Sequence, residues 1–262
     1  MKVGLALSGG GARGMVHVGV LHALIESGIP VDVVSGTSAG SIVGSLYAAG
    51  YSPEEILAFI KDQNLIRFFG LRFPRKGFAR HAFLRKQLIK YLPANNFENL
   101  KIPLSVTVAN LNTGLPESFT EGPLIDLVVA SSSIPVLFEP VRIGDAIYVD
   151  GGLLMNLPAS PIRQVCDALI GVNLVPRISV PDTELSSVFG IGGRCFDLAA
   201  LNNIRPELAM CDIVLEPVEI SKFSRFSISN IEQMYEIGYR ETLGKIDLIR
   251  SVVRGDVRVT AG

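Results

Sequence analysis

Short apolar runs alternate along the chain with stretches of helical spacing, and glycine or proline marks most of the changeovers. Val3 to Leu7 predicts a buried strand, and after a Ser8-Gly9-Gly10-Gly11 cluster the apolar residues of His17 to Ile25 fall at helical spacing. Gly28-Ile29-Pro30 ends that helix. Val31 to Val34 reads as a second strand and Ser38 to Ala49 as a second helix, stopped by Gly50. Tyr51-Ser52-Pro53-Glu54-Glu55 has the composition of a capped helix start leading into Ile56 to Ile60. Beyond Lys101, strands are expected at Leu104 to Val108 and Glu117 to Thr120, and a helix from Pro123 to Ala130. A hairpin turning at Gly144-Asp145 then leads to Tyr148-Val149-Asp150. Further strands fit Ala168 to Leu174 and Ile213 to Leu215, and a long amphipathic helix fits about Ile228 to Arg250.

Strands alternating with helices imply an α/β fold in three layers, α/β/α, with a mostly parallel central sheet whose sites form at the carboxyl ends of strands. At 262 residues and 48% hydrophobic composition, one compact unit spanning 1–262 is expected. Lys plus Arg total 24 against 25 Asp plus Glu, a net charge of -1 that does not argue for a nucleic-acid partner. Cys166, Cys195 and Cys211 form no CxxC pair, which points to a reduced cytoplasmic protein and away from a metal site. The first apolar run is too short for a secretory signal, and no run is long enough to span a bilayer.

Two glycine motifs sit at carboxyl ends of predicted strands. Gly36-Thr37-Ser38-Ala39-Gly40 fits the G-x-S-x-G elbow, where small residues two positions either side of a serine let a strand turn sharply into a helix. Such a turn also suits helix capping alone. Gly9-Gly10-Gly11-Ala12-Arg13-Gly14 matches the dinucleotide pattern G-x-G-x-x-G, but the acidic residue that should end the second strand is missing, since Asp32 comes at its start. The loop is better read as backbone N–H donors at a helix N-terminus, suited to an anion such as a tetrahedral oxyanion. Arg13 fits either loop orientation and phosphate contact or a helix surface.

A nucleophilic serine needs a base. The order serine, acid, histidine cannot be built, because no histidine follows His81; His17 and His22 are expected at the surface or core edge, and His81 in solvent. Among carboxylates, Asp150-Gly151-Gly152 stands out at the tip of an apolar strand, although Asp-Gly is also a common turn pair.

Together the glycine loop, the G-x-S-x-G serine and the Asp150-Gly151-Gly152 motif resemble the patatin-like phospholipase family. The resemblance extends through Ser131-Ser132-Ser133-Ile134-Pro135 and Asn156-Leu157-Pro158, so the motif-bearing core covers about 3–160 of a single catalytic domain, and the C-terminal part is less diagnostic. It implies a Ser38–Asp150 dyad without cofactor or metal. In it Asp150 takes the Ser38 proton, the loop with Gly9, Gly10, Gly11 and Gly14 donates to the oxyanion, and an acyl-serine is hydrolysed by water. The implied substrates are phospholipid or lysophospholipid acyl esters. An acyltransferase using the same acyl-serine, or a non-catalytic nucleotide-binding or regulatory module, are the rival readings.

From Arg67 to Lys90 the chain carries eight basic residues and no acidic one, interleaved with Phe68, Phe69, Phe73, Phe78 and Phe83. Residues 67–90 therefore suit either peripheral contact with an anionic membrane or a segment whose phenylalanines pack inward while its charges are solvated. Neutralising Arg72, Arg75, Lys76 and Arg80 together separates these readings. If the segment docks, affinity for anionic vesicles should fall by roughly several hundredfold at low salt, at about 1 kcal/mol per charge. Unchanged vesicle co-sedimentation would leave the solvated-charge reading standing.

Overall fold

The computed structural model describes residues 1–61, 81–175, 177–225 and 230–257. Most of the basic aromatic segment, including Arg67, Arg72, Arg75, Lys76, Arg80 and four of its phenylalanines, lies outside the described residues, as does Ile228.

Eight strands form one sheet: β1 (Val3–Leu7), β2 (Val33–Thr37), β3 (Leu104–Asn110), β4 (Pro116–Phe119), β5 (Val141–Ile143), β6 (Ala146–Asp150), β7 (Ala168–Val172) and β8 (Ile213–Leu215). The order is β5-β6-β3-β2-β1-β7-β8, with β4 also paired to β3. β3, β2, β1, β7 and β8 run parallel, while the pairings of β4, β5 and β6 are antiparallel. The central strands are buried along their whole length, as expected of a parallel sheet covered on both faces.

The pleat of β1 divides the core in two. Val3, Leu5 and Leu7 enter the larger apolar cluster. This cluster is built with α1 (Met15–Glu26), α2 (Ala39–Ala48), α3 (Pro53–Ile60), α4 (Ala82–Tyr91) and α5 (Leu124–Ser131). Ala6 faces the opposite way, into a smaller cluster with Ile162 of α6 (Ser160–Arg163) and Ile204 of α7 (Val188–Leu208). Helices thus cover both faces of the sheet, giving the three expected layers. The Ser52 cap of α3 is a complete capping box, with Ser52 and Glu55 each bonding the other's backbone N–H.

The expected long C-terminal helix is two helices, α8 (Ile231–Gly244) and α9 (Ile246–Arg254), broken at Lys245. α8 lies against α1 at backbone distance: a Cβ on Gly19 would come 2.0 Å from the Tyr235 carbonyl oxygen, and one on Gly238 2.1 Å from that of Val16. Apolar spacing gives no sign of a contact made by two missing side chains. α7 forms against propensity, since Gly190, Gly192, Gly193 and Pro206 all oppose a helix. α4 falls inside the basic segment and buries Leu84, Gln87 and Leu88; Phe83 packs against the core while Lys86 and Lys90 stay in solvent. Among the described residues no helix is long and apolar enough to cross a membrane.

The α1–α8 contact makes a contrast within one helix. Gly238→Ala should lower stability by about 1–3 kcal/mol through overpacking. Gly244→Ala, with open space around it, should be neutral or stabilise by roughly 0.5–1 kcal/mol. Urea melts of both variants check this, and equal effects would mean that the helices do not touch at Gly238.

Candidate active site

The register of β3 brings two distant pieces of chain together. Thr107 is paired on one edge with Ser118 of β4 and on the other with Thr37 of β2; Val108 is paired with Glu117 of β4 and with Asp150 of β6. Since β4 occupies one edge, β2 and β6 must share the other. One ends at Thr37 and the other at Asp150, meeting end to end over adjacent residues of β3. Ser38 and Asp150 leave the sheet at this junction.

Ser38 has φ 53 and ψ -122, a conformation costing a non-glycine residue on the order of 1–3 kcal/mol. The turn is held from both sides. The Ser38 N–H donates to Ser131 Oγ at 2.8 Å, whose hydroxyl donates in turn to the Thr107 carbonyl at 2.7 Å. The Ser38 carbonyl accepts from the Ser41 N–H at 2.9 Å and the Ser41 hydroxyl at 2.7 Å, starting α2. Both flanking glycines are sterically required: a Cβ on Gly36 would lie 2.5 Å from the Gly40 carbonyl oxygen, and one on Gly40 2.1 Å from that of Leu7.

The glycine loop leaves β1 beside this turn. Gly9 donates to the Asn156 carbonyl at 3.0 Å, and its missing Cβ would stand 3.1 Å from Ser38 Cβ. Gly11 has φ 58, and Gly14 faces Ala39, whose Cβ would be 2.8 Å away. Ala12 donates to the Arg225 carbonyl at 2.8 Å and Arg13 to that of Gly10 at 3.3 Å; the N–H groups of Gly10 and Gly11 find no acceptor among the described residues. Arg13 is buried, not a helix-surface residue: its Nε donates to the Phe223 carbonyl at 2.9 Å. The dinucleotide alternative loses its acidic residue, since Asp32 gives its carboxylate to the Val3 N–H at 2.7 Å.

Asp150 is 1% exposed. Its N–H donates to the Ser133 carbonyl at 2.9 Å and its Oδ1 accepts from the Gly152 N–H at 2.8 Å, while Oδ2 has no hydrogen-bond partner among the described residues. Burial pushes its pKa up to about 7, against the opposing pull of the Ser38 hydroxyl, the Gly152 N–H and the Arg225 charge. The Ser38 hydroxyl is thus close enough to the carboxyl to favour its ionised form. Gly151 admits no side chain, since its Cβ would meet the Thr107 carbonyl oxygen at 2.4 Å, and a Cβ on Gly152 would stand 2.7 Å from Asn156 Oδ1.

His17 and His81 differ from expectation, and His22 does not. His17 is fully buried, with Nε2 2.8 Å from the Ser8 carbonyl, and burial drops its pKa to about 4, so the neutral ring donates there and holds the start of the glycine loop. His81 is buried rather than solvated: Nε2 lies 2.8 Å from the Glu139 carbonyl and 2.9 Å from Ser133 Oγ, and burial lowers its pKa. His22 is partly exposed against Tyr235 and Glu54. The first two brace segments beside the site.

Ser38, Asp150, Asn156 and Gly9 to Gly11 line a cleft whose other walls are Ile134 to Leu137, Gly192, Gly193, Phe196 and Arg225. Phe196 and Arg225 come from the less diagnostic C-terminal part and carried no motif that could have flagged them. An apolar cleft with convergent polar groups at one end is the usual form of a small-molecule site.

The site thus joins a strained serine at a strand-to-helix turn, a buried carboxylate and a glycine loop on a mostly parallel α/β sheet. Residues 5–162 match the family model for patatin-like phospholipase, and the chain belongs to that family. An uncharacterised NTE family protein of Mycobacterium bovis is 30% identical over 90% of this chain and 45% of its own length. The lysophospholipase NTE1 of Pyricularia oryzae is 30% identical over 72% of this chain and 13% of its own. The chain therefore spans less than half the length of these relatives. Among solved structures, VipD from Legionella pneumophila shares the fold with a TM-score of 0.58 at 16% identity, over 94% of this chain and 67% of that one.

The raised Asp150 pKa has a consequence for stability. A carboxyl with a pKa of about 7 when folded and 3.8 when unfolded binds its proton more tightly in the folded state. That stabilisation is complete below about pH 4 and is lost as pH rises through about 7. Asp150→Asn removes the titration. The stability of the variant minus that of wild type should therefore grow between about pH 4 and pH 8, by on the order of a few kcal/mol. Chemical melts across this range test the point, and a difference independent of pH would show that Asp150 titrates normally.

Proposed function

We propose that the protein is a serine lipid acyl hydrolase acting on carboxylic esters of phospholipids or lysophospholipids through an acyl-Ser38 intermediate, with Asp150 as the only base. The observation that carries this reading is the junction of β2 and β6, which sets the strained Ser38 beside a buried carboxylate with one uncommitted oxygen. Asp150 Oδ2 accepts the Ser38 proton as Oγ adds to the ester carbonyl, and the N–H groups of Gly10 and Gly11 stabilise the oxyanion. Collapse expels the alcohol, which takes its proton from Asp150. Water, deprotonated by Asp150, then attacks the acyl-serine; the acid leaves, and the proton held by Asp150 returns to Ser38. A carboxylate with a pKa near 7 is a much better base than an ordinary one.

The substrate class is supported by the family's description as phospholipases, by the lysophospholipase name of the fungal relative and by the apolar walls from Ile134 to Leu137 and Phe196. His17 and His81 direct Nε2 to backbone carbonyls, consistent with a dyad that uses no histidine.

Ser38→Ala should lower turnover of a lysophospholipid by roughly 10⁴-fold or more and abolish labelling by a fluorophosphonate. In the wild type kcat/KM should rise with pH and level off above about 7, because Asp150 must be ionised to accept the proton, and Asp150→Asn should lose this limb along with most of its rate. Near-normal turnover by the serine variant would refute the proposal.

A further inference from the structure

Beside the acyl cleft lies a second cavity of about 590 Å³, and Gly193 and Arg225 line both. Its described lining carries Arg13, Arg194, Lys222 and Arg225 against one acid, Asp197, an excess of three positive charges. Arg225 is the pivotal member: its side chain is only 14% exposed and pairs with Asp197. Cations gathered this closely repel one another, and burial, Arg13 and Arg194 together lower the Arg225 pKa to about 10. An incoming anion relieves that repulsion, and guanidinium groups suit phosphate oxygens geometrically.

We propose that this cavity seats the phosphate of the substrate's headgroup, so that phosphate-bearing glycerol esters are preferred over neutral glycerides. The inference rests on the acyl-hydrolase reading above. In a glycerophospholipid the phosphate lies a glycerol's length from the ester carbonyl, and the cavity and the Ser38 cleft are neighbours that both include Gly193 and Arg225 in their linings. The shared lining is tied to the glycine loop. The Arg225 carbonyl accepts from Ala12 at 2.8 Å, and Arg13 donates to the Phe223 carbonyl at 2.9 Å. A phosphate held there would therefore tighten the backbone that presents Gly10 and Gly11. Ser187 and Ser221 add hydroxyl donors to the lining. Arg194 donates to the Ile178 carbonyl at 3.1 Å through one nitrogen, which aims the side chain while leaving other donors of the fork for a ligand.

Two soluble esters of equal chain length, dihexanoylphosphatidic acid and dihexanoylglycerol, test the proposal on the full chain. The wild type should prefer the phosphate-bearing ester, and Arg194→Gln with Lys222→Gln should reduce the ratio of the two kcat/KM values by roughly tenfold or more, the size of one lost charge-assisted contact. Arg194→Lys should retain most of the preference. Inorganic phosphate should compete with the phosphatidic acid and leave dihexanoylglycerol turnover alone. A ratio unmoved by the double variant overturns the proposal. So does phosphate activation of dihexanoylglycerol in an enzyme with no preference, which would make the cavity a site for a free anion. Calorimetric binding of dihexanoylphosphatidic acid to Ser38→Ala, with and without Arg194→Gln and Lys222→Gln, reads the cavity without turnover. If neither ester is hydrolysed and Ser38 resists a fluorophosphonate, the hydrolase reading fails separately, while binding still decides for or against the phosphate seat.

Discussion

Everything in the site hangs on one edge of β3, where the ends of β2 and β6 are paired to adjacent residues, Thr107 and Val108. A strand edge offers each backbone group once, so two strands can share it only by meeting end to end, and whatever follows their last residues must then be neighbours. The crowding is severe enough that no side chain fits at Gly36, Gly40 or Gly151, each of which presses against a backbone carbonyl. The serine triplet at the end of α5 grips both sides of the junction. Ser131 holds the Ser38 N–H and the Ser133 carbonyl accepts from Asp150, so a single turn of chain sets the spacing between the two groups.

Electrostatics follow from this geometry. Closing Asp150 away from water favours its neutral form, and the Gly152 N–H, the Ser38 hydroxyl and Arg225 only partly restore the charged one. The result is a carboxyl whose proton affinity approaches that of a histidine, in a site where the nearby histidines hold backbone carbonyls. His17 keeps the glycine loop in place as a neutral ring, an arrangement that burial itself secures.

The C-terminal part closes the other side. α7 brings Phe196 to the cleft, the segment before α8 brings Arg225, and α8 is anchored to α1 through Gly19 and Gly238. Because α1 follows directly from the glycine loop, this helix pair fixes the position of the loop relative to Arg225. The lining shared by the two cavities is therefore part of the same construction as the loop.

The three layers and the parallel strands were legible in the amino-acid order because periodicity of apolar residues and turns that exclude side chains are local rules, whereas Ser38 and Asp150 were picked out as candidates only by three motifs taken together and by the lack of any histidine after His81. The break of the last helix at Lys245 and the glycine-rich α7 escaped those rules, since propensity and periodicity are outweighed there by tertiary packing. The burial of His17 and His81 and the place of Arg225 in the cleft could be decided only in three dimensions. Whether a titratable side chain is solvated, clamped or charged depends on what packs over it, and here the covering residues lie far away in sequence.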